Sequence, residues 1–580
     1  MARPSEVFSP DEAIIKSTWQ MFEDGAQKKL DAPVLTACHQ AADHCANLLS
    51  TTSLHRPPVD CLQWTFGELR HASLVVAKAM QDAGVQRGMT VAALIPNGIE
   101  THIVRVVSFI LQLTLVALDR DLVKHGRRDE FIYYIRTTTP DMVLVADSAA
   151  AESVDEATGS IGFSLAHRFI TEDPRTPGWT SWAKTEQPSA ESLEVLAGQE
   201  EEELDQGGDR VALVLFTSGT SSGRPKGCPQ TVRNITAAAY NQMWIADIGS
   251  SYAVQSPSSR AVYNCMGAMA IVYGHHVVLS HSHFTLEALH AAVGAHSVEM
   301  LLLVPAQVRL LAAQHHLDFS SLTSVKRVVL GGDIITIDLI EKAEELFPHA
   351  SVSTVSGMSE GTGFSGMKGE DKNKWKKTIH SIVSVGKVAR GARLRICDSD
   401  GKVLPRGEEG ELLVAGPMMI DRYLNDDLPE QFVRDEWGTW IKTGDTATMD
   451  EDDHIFIVSR TKDVVKQSGI NISPAVVEAT LSRQSDISAA VLGVPDAVKG
   501  EVPVAIVTGG QAEDVKEIVQ ENLGDDYALK AVYDLHDDLG FEELPLSAQG
   551  KVQKHLLKEA VLNLERKKLI GAGLFRPWFL

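Results

Sequence analysis

The sequence predicts an α/β protein, with a large N-terminal domain of parallel-rich sheets covered by helices, a β-rich lobe closing it, and a small mobile α+β domain at the C-terminus. Three observations predict this. Short apolar, β-branched runs (VAALIP, TLVALD, VALVLF) recur with helical stretches between them, which is the rhythm of βαβ units. Residues 380–457 change to short strands broken by tight turns, as in DSDGKVLPRGEEGELLVAG, and so read as a β-rich lobe. After Arg460 the composition resets, and INISPAVVE, residues 489–494 and residues 502–508 describe a separate unit of about 120 residues. The expected division is therefore 1–459 and 460–580.

The elements can be justified in order. Motif content is low in residues 1–60, where the apolar spacing of residues 34–49 predicts a helix. The apolar run 103–118 is interrupted by Arg105 and Gln112 and is shorter than the ~20 residues of a bilayer span, so it reads as a buried helix leading into a strand. Residues 143–147 form a further strand candidate, and 200–205 an acidic, solvated bridge. Strands recur at 211–216, 300–304 and 328–330. No internal repeat is present.

Apolar content of 44% and charged content of 23% are ordinary for a globular protein of 580 residues. A net charge of −23 argues against nucleic acid or an anionic membrane as partner. It also requires any polyphosphate site to gather cations locally, for which Arg224, Lys226, Arg460, Lys466 and Lys551 are candidates. Six cysteines without C-x-x-C spacing read as buried or free thiols in a reducing compartment, not as a disulfide frame or zinc site. MARPSEVFSPDEA lacks the pattern of a signal peptide and RPWFL is not a peroxisomal address, so the expected location is the cytoplasm. The histidines His275, His276, His281 and His283 have no cysteine or carboxylate ligand close by in sequence. Strand alternation turns His275 and His276 to opposite faces, so they read as structural or surface residues.

The most informative stretch is VALVLFTSGTSSGRPKGCPQT, residues 211–231. A buried strand runs into a loop of hydroxyls, glycines and cations that can fold around a polyphosphate. Thr217, Ser218 and Thr220 supply hydroxyls, Lys226 a point charge, and Gly219, Gly223 and Gly227 let the backbone approach closely. It is not a Walker A loop, because Lys226 follows Pro225 and precedes Gly227.

This loop resembles the phosphate-binding signature SGTTGxPKG of the adenylate-forming superfamily: acyl-CoA synthetases, nonribosomal-peptide adenylation domains and luciferases. Here it is one serine longer, at Ser221 or Ser222. Further motifs follow in that family's order, from about residue 60 to about residue 555: WTFGEL at 64–69, VALD at 116–119, GGD at 331–333, SGMSE at 356–360, GEL at 410–412, TGD at 443–445, SRTKD at 459–463 and GK at 550–551. The resemblance implies ATP-dependent activation of a carboxylic acid to an acyl-adenylate, with Mg²⁺, then transfer to a thiol. Coenzyme A is the foremost acceptor. The alternatives are a carrier-protein thiol, an amine, or a protein that binds ATP or acyl-AMP without turnover.

The resemblance also assigns roles. Lys551, on a lid loop, touches the substrate carboxylate and the α-phosphate, and acts with Thr217 and Glu360 as the catalytic group. Glu360 holds Mg²⁺, to which a carboxylate is suited. Nucleotide contacts fall on Thr217 to Gly223 (including Ser221 and Ser222), on Lys226, and on Gly331, Gly332 and Asp333. They continue through Ser356, Gly357, Met358 and Ser359. Asp445 accepts hydrogen bonds from the ribose hydroxyls; Arg460 reaches ribose or phosphate, or serves as an interdomain salt bridge. Tyr263, Asn264, Cys265, Gly267, Ala268, Val355 and Gly363 surround the acyl group. Lys462 is the lid's hinge, and Lys466, Ser468 and Gly469 face coenzyme A. Two departures from the family pattern stand out: Ser356 replaces the aromatic that stacks on adenine, and Asn264 replaces a histidine. The expected pocket is small or apolar, with no evident charged partner for an amino group, which favours a medium-sized apolar or aromatic acid.

Overall fold

The computed structural model describes all residues outside 1–2, 50–59, 124–126, 174, 183–184, 186, 199–207, 218–224, 242–249, 315, 368–376, 427, 469, 484–486, 497, 547–551 and 572–580. Among the described residues, the two largest sheets have nine and seven strands. The centre of the nine-stranded sheet is parallel, with Met300–Leu303, Arg327–Leu330 and Ser351–Met358 side by side. Its edges are antiparallel, where Gly361–Gly366 folds back on Ser351–Met358 and Leu62–Thr65 on Pro33–Ala37. In the seven-stranded sheet Thr90–Leu94, Thr114–Ala117, Met142–Val145 and Val211–Phe216 are parallel neighbours, and Gly227–Thr231 closes an antiparallel hairpin onto Val211–Phe216.

Both sheets share one core. Leu35, Val277 and Met300 from one sheet join Val91, Leu115 and Leu213 from the other, together with Phe22, Leu69, Ile103 and Met269 from four helices. These helices have local reasons to form. Thr65 and Glu68 make a capping box at the start of Phe66–Asp82, each satisfying the other's backbone N–H at 3.2 and 2.8 Å. The buried helix Ile99–Ile110 followed by the strand Thr114–Ala117 matches the reading of the long apolar run. Among the described residues, no helix is long and apolar enough to cross a membrane.

The helix expected over 34–49 is overturned. Pro33–Ala37 is a strand, parallel to His276–Leu279, and only a short 3₁₀ turn follows at Ala46–Leu48. Residues 34–37 are buried on both faces, which erases the alternation by which a strand announces itself. The acidic segment 200–205 lies outside the described residues.

The antiparallel β-rich sheet contains Arg393–Cys397, Gly410–Ala415, Gly438–Met449 and Ile455–Arg460, joined by Glu6–Phe8 from the start of the chain. Its last strand ends at Arg460. After residues 461–464 the strand Val465–Gln467 begins a five-stranded sheet with Ile470–Ile472, Gly500–Thr508, Ser488–Asp496 and Ala531–Asp534.

Candidate active site

The Val211–Phe216/Gly227–Thr231 hairpin fixes the ends of the Ser/Thr/Gly loop. Thr217 N–H donates to the Lys226 carbonyl and Lys226 N–H donates to Thr217 Oγ1, both at 3.0 Å. The Pro225 carbonyl accepts from the Tyr133 hydroxyl at 2.9 Å, which pins the cationic end of the loop to the helix Arg128–Thr138. One strand on, Gln230 Nε2 donates to the Ser359 carbonyl at 2.9 Å and so ties this hairpin to the SGMSE segment.

SGMSE forms the end of Ser351–Met358 and the turn before Gly361–Gly366, with Met358 opposite Gly361. Glu360 sits in that turn and is buried. Its Oε1 accepts from the Tyr423 hydroxyl at 2.7 Å, and its carbonyl accepts from Ile420 N–H at 2.9 Å. Lys226 Nζ lies 5.0 Å from the centroid of the Tyr423 ring. Lys226, Tyr423 and Glu360 are thus one unit: a cation over a buried phenol whose hydroxyl holds a buried carboxylate. Burial and the neighbouring carboxylate push the Tyr423 phenol well above its ordinary range, so the hydroxyl keeps its proton and remains a donor.

The glycines of GGD and SGM let neighbouring backbones meet. A Cβ on Gly331 would stand 2.9 Å from the Val355 carbonyl oxygen, and one on Gly357 2.9 Å from Gly363 N. Gly332 adopts a φ of +86°, in the region that favours glycine. Ser356 is buried opposite Ser365 in the same hairpin. Asp333 is exposed and its carboxylate accepts from Ile334 N–H at 2.9 Å.

The residues expected around the acyl group divide between two faces of the helix Ala261–Tyr273. Cys265 turns to the nine-stranded sheet, where its thiol hydrogen-bonds Thr362 beside Gly363. Tyr263, Asn264 and Gly267 turn to the helix Ile99–Ile110 instead. Tyr263 Oη lies 2.5 Å from Thr101 Oγ1, and Asn264 Oδ1 accepts from Arg105 Nη2 at 3.1 Å. Asn264 Nδ2 donates to the Ser258 and Arg260 carbonyls, both at 2.8 Å, bracing the helix's first turn. The Arg105 guanidinium is buried, stacks 5.2 Å from the Tyr263 ring, and occupies the space a Cβ on Gly267 would need. A buried guanidinium, its pKa lowered by desolvation, thus packs against Tyr263, Asn264 and Gly267. Ala268 is buried in the same helix, and Val355 packs against the shared core.

Asp445 and Arg460 face each other across Gly438–Met449 and Ile455–Arg460 and form an ion pair at 3.0 Å, with Arg460 Nη1 also donating to the Thr443 carbonyl at 3.1 Å. Arg460 so holds the carboxylate of TGD from within one sheet. Lys462 is exposed in the turn 461–464, whose backbone is tied by Thr461 N–H to Gly444 O at 2.9 Å. Lys466 is exposed, and Ser468, at φ +49°, donates its N–H to the Lys499 carbonyl at 2.8 Å. Ser218, Gly219, Thr220, Ser221, Ser222, Gly223, Gly469 and Lys551 lie outside the described residues; Leu546 and Val552, flanking Lys551, form an antiparallel bridge.

Sequence reasoning missed Tyr423 and Arg105. Nothing in MIDRYLND singles out Tyr423 except an aromatic in a polar stretch. Arg105 did carry a signal, as a lone guanidinium amid IVRVVSFIL, but it was read only as an interruption of an apolar run.

A family model described as AMP-binding enzyme matches residues 40–424, and one described as AMP-binding enzyme C-terminal domain matches residues 476–551. The chain is 30% identical over 568 residues to the acyl-CoA ligase GME11374 of Pestalotiopsis microspora, spanning 94% of this chain and 96% of that one. It is 28% identical to 4-coumarate–CoA ligase 3 of Arabidopsis thaliana, over 85% and 86% of the two chains. In fold it resembles the amide bond synthetase McbA of Marinactinospora thermotolerans, with a TM-score of 0.75 at 22% identity over 93% and 98% of the chains. ATP-bound MatB of Rhodopseudomonas palustris gives a TM-score of 0.73 at 21% identity over 94% and 99%. With both family models matched in order, and with a near full-length relative, the chain belongs to the AMP-binding enzyme family, the adenylate-forming enzymes, and within it to the acyl-CoA synthetase type.

Proposed function

We propose that this chain is an AMP-forming acid–CoA ligase for a medium-sized apolar or aromatic carboxylic acid, working in the cytoplasm. In the first half-reaction a carboxylate oxygen of the acid attacks the α-phosphorus of ATP. The new P–O bond forms as the bond to pyrophosphate breaks. In the second, the thiol of coenzyme A attacks the acyl carbonyl, its proton passes to solvent, and AMP leaves.

The observation that carries this reading is the Lys226–Tyr423–Glu360 unit beside a loop whose ends Thr217 and Lys226 hold together. Phosphoryl chemistry of this kind is mainly positioning and charge neutralisation. Lys226 offers a fixed cation, and Glu360 a buried carboxylate oriented by a hydroxyl, a donor type that suits a hard cation. Mg²⁺ bound there would neutralise phosphate charge. Asp445, fixed by Arg460, would accept from the ribose hydroxyls, and the glycines 331, 332 and 357, whose neighbours leave little room for a Cβ, are the residues assigned to the adenine slot. Lys551 supplies the lid's cation in the first step. The lid then turns about Lys462 to bring Lys466, Ser468 and Gly469 to the pantetheine arm. Relatives named for 4-coumarate and for feruloyl-CoA support an aromatic acid.

The test is pyrophosphate release from ATP across a panel of acids, followed by mass spectrometry of the product with coenzyme A. Acid-dependent pyrophosphate and a CoA-dependent thioester are expected. An acyl product formed only with a carrier protein or an amine would overturn the choice of acceptor, and no acid-dependent pyrophosphate would overturn catalysis.

A further inference from the structure

Away from the nucleotide region, three residues far apart in sequence converge at the edge of the nine-stranded sheet. The register that pairs Ala37 with Leu62 places Cys38 and Cys61 opposite each other one step further along. Cys38 is anchored there by its N–H to the Leu279 carbonyl at 2.9 Å. His296, the last residue of the helix Leu286–His296, brings its Nε2 to 3.9 Å from Cys61 Sγ. The two sulfurs and the imidazole nitrogen all lie within 4.8 Å of one another, and all three residues are half-buried.

We propose that Cys38, Cys61 and His296 bind a zinc-class divalent cation, which staples the outer hairpin of the sheet to the end of that helix. Two thiolates and an imidazole are the donors a borderline-soft cation selects, and three protein ligands leave a fourth position for water on the solvent side. Binding replaces the two S–H protons with the metal and releases them, so affinity falls steeply as pH drops.

A second triad, His44, Cys45 and Glu100, has similar spacing but different electrostatics. There the carboxylate is already engaged on both oxygens, Glu100 Oε1 lying 2.5 Å from His44 Nε2 and Oε2 accepting from Gln40 Nε2 at 2.8 Å. The contrast singles out the Cys38 site.

The experiment titrates chelator-treated full-length protein with Co²⁺ alone and then with Zn²⁺, reading the thiolate-to-cobalt charge-transfer band and the metal content. Expected is one ion per chain, a charge-transfer band that Zn²⁺ abolishes, and a thermal midpoint that rises on binding. Cys38→Ser, Cys61→Ser and His296→Ala should each weaken binding by roughly 10–100-fold or more, while His44→Ala leaves it unchanged. Acid-dependent pyrophosphate release, retained in each variant, reports that the variant is folded. No charge-transfer band, a band that survives all three substitutions, or a Cys38–Cys61 disulfide found by mass spectrometry in the isolated protein would overturn the proposal.

Discussion

The residues expected to serve the reaction from the large domain and those expected from the C-terminal unit are held in different ways. Glu360 and Tyr423 are buried and joined across 63 residues of sequence, with Lys226 placed over the phenol from a third segment. Lys466 and Ser468 are exposed, and their backbone N–H groups donate to Glu501 Oε2 at 3.3 Å and to the Lys499 carbonyl at 2.8 Å. Charges that must stand ready around a polyphosphate gain most from being fixed in advance, because the reorganisation is then settled by folding and not during the reaction. Groups that a lid would carry to the substrate, as proposed for Lys466 and Ser468, would spend one orientation away from it, which fits their exposure to water.

Four perturbations break or sharpen this contrast. The largest effect is expected for Lys551→Ala. It should slow adenylation by ~10²–10³, about 3–4 kcal/mol, because one preorganised charge contact is lost. Thioester formation from preformed acyl-adenylate should be little changed. Equal losses in both half-reactions, measured by pyrophosphate release and by single-turnover thioester formation, would remove Lys551 from the first step.

Lys462→Pro should come next, by separating the two half-reactions. Proline fixes φ near about −65° and removes a backbone N–H in the turn 461–464, so one lid orientation is favoured. Either acyl-AMP accumulates while the CoA step stalls, or adenylation itself fails. Wild-type rates in both steps would place the hinge elsewhere.

On the buried side, Glu360→Gln keeps the acceptor for the Tyr423 hydroxyl but removes the negative charge. The Mg²⁺ concentration for half-maximal adenylation should rise roughly 10–100-fold, the range seen when a metal's ligand environment is disturbed. The KM for the acid should barely move. An unchanged Mg²⁺ titration would assign the metal to another carboxylate.

The smallest effect is expected for Tyr423→Phe, which keeps the ring under Lys226 and deletes one hydrogen bond to a carboxylate. Such bonds contribute about 1.5–3 kcal/mol. The expected outcome is an unfolding free energy, measured in urea, lowered by that amount, with adenylation down about tenfold. A neutral result in both measurements would mean that Glu360 is oriented by the turn's backbone alone.

Much of this molecule was legible in its sequence. The strand Val211–Phe216, its abrupt change to hydroxyls and glycines, the helix-to-strand reading of 103–118 and the reset after Arg460 all rest on the chemistry of consecutive residues. Periodicity, turn formers and motif order are properties of neighbours in the chain, so they survive without knowledge of the fold. The tertiary structure alone decided the rest. Residues 34–37 became a strand because strands from elsewhere in the chain pair with both of its edges, while packing buries both of its faces. Arg105 came to rest against Asn264 across 159 residues, Tyr423 reached Glu360 across 63, and Cys61 met His296 across 235. Each of these contacts depends on which strands and helices pack side by side, and the burial that gives a buried guanidinium, phenol or thiol its chemistry exists only once they have packed.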